Sequence, residues 1–98
     1  MIHIFVNRER VPNGPFPITP AQLVEARRLY REEWNRTPDL SGVRVSPQTT
    51  SRAILRDVVP TLSDFDAGMI GFAVASDNVY VEDMDGKKIK LQKRGELS

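Results

Sequence analysis

Ninety-eight residues, 40% of them apolar and 28% charged, suffice for one domain that buries roughly 60 to 70% of its extended surface. The chain has no cysteine, which excludes a disulfide framework, a thiolate nucleophile and any cysteine-based zinc or iron–sulfur site. A net charge of +1 singles out no partner, but the charges are segregated: residues 1–56 hold nine Lys/Arg against five Asp/Glu, residues 57–86 seven Asp/Glu and no cation, and residues 87–98 five cations against one acid.

The opening "MIHIFVN" alternates Ile2, Ile4 and Val6 with His3 and Phe5, the two-residue period of a strand over residues 2–7. Met1 leads straight into it, with no secretory leader, and no apolar run reaches 18 residues; a soluble, cytoplasmic chain without a membrane partner is expected. "NRER" turns the chain back into a short second strand through Arg10 and Val11. In "PNGPFP" the Asn13-Gly14 hairpin signal is flanked by prolines, which remove ladder donors, so an irregular loop is expected there.

A helix over residues 20–36 follows. Thr19 is its cap, Pro20 fills the first helical position, Gln22 completes a capping box, and Thr37-Pro38 ends it. Leu23, Tyr30 and Trp34, widened by Ala26, form its core stripe, whereas Glu25, Arg28, Glu32 and Arg36 make a solvated i, i+4 ladder on the far side. Arg27 and Arg31 are like-charged i, i+4 neighbours at the edge of the aromatic stripe. Either their stems lie over Tyr30 and Trp34 with the guanidinium groups in water, or the pair is an anion contact.

"GVRV", residues 42–45, has the composition of a short strand. Ser46-Pro47 starts a second helix, weakened by "QTTS" so that its start falls as late as Ser51, with Ile54, Leu55 and Val58 on one side and Pro60 as its stop. "SDFD" offers Asp64 and Asp66 as turn or helix-start residues, and they are assigned to a turn. From Gly68 the pattern is β: "MIGFAVA" is an apolar run suited to a strand buried on both faces, and "SDN" turns the chain into "VYVED". A three-residue loop 84–86, with Gly86 left-handed, sets Val81 against Ile89, Val79 against Leu91, Glu82 against Lys88 and Tyr80 against Lys90. The whole reads as one α+β domain over residues 1–94 with a loose tail at 95–98. A small, mostly antiparallel sheet packs against one long and one short helix, and the core draws on Leu23, Tyr30, Trp34, Ile4, Val6, Ile54, Leu55, Val74 and Phe72.

"HIFVNRERV" followed by "ITPAQLVEA" resembles the strand, turn, strand, helix opening of bacterial ubiquitin-like β-grasp domains. The resemblance covers under a third of the chain and implies a β-grasp-like sheet. The remainder departs from that pattern: a second helix precedes the later strands, and the tail "RGELS" has a single glycine where conjugation requires a terminal pair. No function is carried across.

Candidate chemistry is sparse. There is one histidine and no serine in a nucleophile-elbow context, and the glycines of "GMIGFA" have the wrong spacing for a phosphate loop, so no enzyme and no cofactor are expected. A calcium loop aligned on Asp83, Asp85 and Gly86 would place Val81 and Gln92 at the two anchoring positions, which rejects it; His3 reads as a strand residue rather than a metal ligand. The expected function is a non-enzymatic protein-binding module, an inhibitor or accessory subunit. Asp64, Asp66, Asp77, Glu82, Asp83 and Asp85 would present an acidic surface to a partner with a basic one. Two alternatives stand beside it: a nucleic-acid-binding accessory using Arg27, Arg31, Lys87, Lys90, Lys93 and Arg94, and a structural subunit of a larger assembly such as a virion.

Overall fold

The computed structural model describes residues 1–36 and 47–91, and at residues 34–36, 47 and 48 it describes the backbone alone. The elements are β1 (His3–Val6), β2 (Glu9–Arg10), α1 (Pro20–Arg36), α2 (Pro47–Val58), α3 (Asp64–Ala75), β3 (Val79–Glu82) and β4 (Lys88–Leu91). The α+β class and the antiparallel sheet are as the sequence indicates, with a third helix where a strand was expected. The "GVRV" strand, the tail at 95–98, the Trp34 and Arg36 side chains, and Lys93 and Arg94 lie outside the described residues.

Each element has a local cause. The capping box at α1 is closed in both directions, the Gln22 backbone N–H donating to Thr19 Oγ1 at 3.1 Å and the Thr19 N–H to Gln22 Oε1 at 2.9 Å. α2 ends at Val58, two residues short of Pro60. Asn7 and Arg8, with φ of 52° and 71°, form the two-residue loop that joins β1 to β2 in a tight hairpin.

α3 corrects the strand expected from Gly68 onward and the turn assigned to Asp64 and Asp66. Ser63 is an extended cap whose Oγ accepts the Asp66 N–H at 3.1 Å, and Asp64 and Asp66 then occupy the first turn, where carboxylates complement the helix dipole. A continuous apolar run has no period with which to choose between helix and strand. Here the Ser63 cap, three alanines, and β-branching at only Ile70 and Val74 favour the helix.

The strand order is β2-β1-β3-β4 and every pair is antiparallel. The last hairpin has the expected register, Val79 against Leu91, Tyr80 against Lys90, Val81 against Ile89 and Glu82 against Lys88, with Gly86 at φ 82° in its loop. β1 joins it by pairing Ile4 with Val81 and Val6 with Val79. Among the described residues α2 and α3 stand between α1 and the later strands, and with this all-antiparallel order nothing beyond the opening supports the β-grasp likeness.

Alternation divides the sheet into two faces. Ile4, Val79, Val81 and Leu91 join Leu23, Ala26, Tyr30, Leu55, Ile70 and Val74 in the core, with Val6, Ile54 and Ile89 packed against it. His3, Phe5, Tyr80, Glu82, Lys88 and Lys90 point the other way. Phe72 is not in the core as expected: as a helical residue it lies on the side of α3 opposite Ile70 and Val74 and is 50% exposed.

Candidate functional site

α3 is apolar around its whole circumference, the pattern of a helix covered on every side. Its inner side is covered: Ala67, Ile70, Gly71, Ala73 and Val74 are buried against α1, α2 and the sheet. Its outer side carries Phe65, Gly68, Met69 and Phe72, which fall within about 100° of arc at 100° per residue. Phe65 is 61% exposed and Phe72 50%, the two lying two turns apart along the same stripe. A Cβ built on Gly68 would meet no atom within 4 Å, so the space above the middle of the stripe is open. Beside its C-terminal half runs a groove of about 450 Å³ lined by Val6, Val11, Pro12, Met69 and Phe72, with Asn7, Glu9 and Arg10 as its polar lining.

The six acidic candidates are not gathered at one point. Asp64 pairs with Arg56, Asp77 pairs with Arg31, and Glu82 faces Lys88 across the hairpin. Asp83 closes its own turn, its Oδ1 accepting the N–H groups of Asp85 and Lys87, each at 3.0 Å. Asp66 and Asp85 make no ion pair among the described residues. The length of α3 separates Asp77 from Asp64 and Asp66, and the length of β3 separates it from Glu82, Asp83 and Asp85, roughly 15 Å in each case.

Arg27 and Arg31 meet acceptors within this chain. Arg27 is 0% exposed, and its Nη1 donates to the Ala73 carbonyl at 2.5 Å, which also accepts the Ser76 N–H at 3.3 Å, and to the Ser76 carbonyl at 2.6 Å, both at the C-terminal end of α3. Burial, reinforced by nearby Arg31 and opposed by Asp77, lowers its pKa to about 10, so it stays cationic at neutral pH. A cation at that end also complements the helix dipole. One turn further along α1, Arg31 reaches the Asp77 carboxylate. The basic pair therefore holds the joint where α3 passes into β3. The signal was available: Arg27 lies about 40° from Leu23 on α1, inside the core stripe, and only its charge assigned it to the edge.

Lys90 sits on β4 opposite Tyr80, and Lys87 precedes the strand as an exposed residue whose N–H closes the turn on Asp83. Among the described residues no group of three His, Asp or Glu side chains is placed to hold a metal, and no helix is long and apolar enough to cross a membrane. No protein-family model matches the chain, and no curated protein or solved structure is similar enough to it to count as a match.

Proposed function

We propose that the chain is a non-enzymatic protein-binding module that docks through the outer face of α3 and the adjoining groove. The observation that supports this reading is a helix apolar on all sides with two phenylalanines exposed by half or more along one stripe. Exposed apolar surface collected in this way marks interaction sites, whereas isolated exposed residues do not. Asp66, which makes no ion pair among the described residues, adjoins Phe65 at the N-terminal end of the stripe, so the fitting partner presents an apolar ridge ending in a basic side chain. Of the wider acidic surface, only this end enters the proposal.

The test is a capture experiment from host lysate with the wild-type chain and the Phe65→Glu/Phe72→Glu double variant. Both side chains are exposed, so the variant keeps its circular dichroism spectrum and melting temperature while losing the captured protein. Asp66→Lys weakens capture without abolishing it. Undiminished capture by the double variant rejects the reading. Light scattering over a concentration series separates a second copy of this chain, the assembly-subunit alternative, from a different protein.

A further inference from the structure

We infer that the sheet face turned away from the helices is a binding platform for a short stretch of single-stranded nucleic acid, a site that shares only Arg10 with the groove beside the α3 stripe. The argument rests on register. Phe5 of β1 pairs with Arg10 of β2 on one side and Tyr80 of β3 on the other, and Tyr80 pairs with Lys90 of β4. Residues paired across adjacent strands share a face, so Arg10, Phe5, Tyr80 and Lys90 form one row crossing all four strands. Its order is cation, ring, ring, cation. Three strand spacings make it about 14 Å long, room for two bases on the rings with a phosphate at each end.

The neighbouring row, His3, Glu82 and Lys88, adds another cation and one acid. Arg10, Lys88 and Lys90 against Glu82 leave this face positive, in a chain whose total charge is +1. Phe5 and Tyr80 are half-buried, and neither ring belongs to the core cluster. Over them lie lysine ends, Lys88 Nζ at 5.1 Å from the Phe5 ring centre and Lys90 Nζ at 5.9 Å from that of Tyr80. An ammonium on a long flexible stem is readily displaced: a base takes its place on the ring while the cation swings to the phosphate, so stacking and charge neutralisation are gained together. Every base has a flat face, so the platform tolerates any sequence. A duplex, whose bases are stacked internally, offers it phosphates alone.

The experiment is fluorescence anisotropy with a labelled 15-mer of dT, a 15-mer of rU and a 15-base-pair duplex, titrated with the wild-type chain from 20 to 200 mM KCl. At least one single strand is expected to bind more tightly than the duplex, with a logarithmic salt slope of about −2 for three neutralised phosphates. Phe5→Ala and Tyr80→Ala are each expected to weaken it by roughly 5- to 150-fold. Tyr80→Phe retains binding, which separates loss of stacking from loss of fold. Arg10→Gln or Lys90→Gln reduces the salt slope by about 0.7. Absence of single-strand binding at 20 mM KCl overturns the inference. So does binding that the duplex matches and that survives both alanine substitutions, since charge alone would then account for it. Phe65→Ser, which alters no charge and lies outside the groove that Arg10 lines, binds the oligonucleotide as the wild type does, so failure at one surface is distinguishable from failure at the other.

Discussion

The outer face of α3 and the open face of the sheet both leave aromatic rings outside the core, yet they meet solvent in opposite ways. On the sheet, Phe5 and Tyr80 are half-buried and each has a lysine nitrogen of the same domain above its ring. On α3, Phe65 and Phe72 are at least half exposed, with Phe72 lining the groove. A ring beneath a movable cation keeps its apolar surface partly shielded until a ligand displaces the cap. A bare ring has no such substitute, so its exposure is relieved only by a partner. The two faces are therefore suited to different tasks, reversible stacking on the sheet and sustained docking on the helix.

The difference depends on α3 being held in place, and removing the group that holds it should have the largest effect. Arg27→Ala leaves the Ala73 and Ser76 carbonyls without their guanidinium donor and opens a void where a large buried side chain stood. Urea denaturation should show a loss of roughly 3–5 kcal/mol. A loss below about 1 kcal/mol would mean that the carbonyls find other donors.

Two glycines sharpen the contrast between the two sides of the helix. A Cβ on Gly71 would stand 2.9 Å from the Oγ of buried Ser51, so Gly71→Ala should destabilise by about 1–3 kcal/mol as α2 and α3 are forced apart. The same change at Gly68, with no atom within 4 Å, should stabilise the helix by about 0.5–1 kcal/mol. Equal effects at both positions in thermal melts would mean that the two sides are not packed differently. The smallest effect is expected at the joint's outer pair: Asp77→Asn removes a partly exposed ion pair with Arg31 and should cost less than about 1 kcal/mol, reduced further by salt.

What could be read from the sequence was what neighbouring residues decide. Thr19 and Gln22 announce α1, and Gly86 with its alternating flanks specifies the last hairpin down to each pair. The misreading of α3 came from an apolar run without period, which outweighed a genuine cap at Ser63 three residues ahead of Asp66. Phe72 was lost with it, since changing the element reverses which side it faces. The sheet row was half legible: Tyr80 was already placed opposite Lys90, and Phe5 opposite in sense to Ile4. What joins the halves is the pairing of β1 with β3, whose residues are more than seventy positions apart, and no local pattern encodes that contact. The charge of Arg27 points to water in the sequence, whereas two carbonyls at the end of another helix receive it in the fold.

Surface helices commonly fray at their last turn, the carbonyls there exchanging readily with solvent. The final turn of α3 resists this, because releasing Ala73 and Ser76 would take two acceptors from a guanidinium sealed in the interior of the domain. Amide protons near Ala73 should thus exchange only when the whole domain opens, as slowly as those at the centre of β1, and α1 and α3 should melt as one cooperative unit.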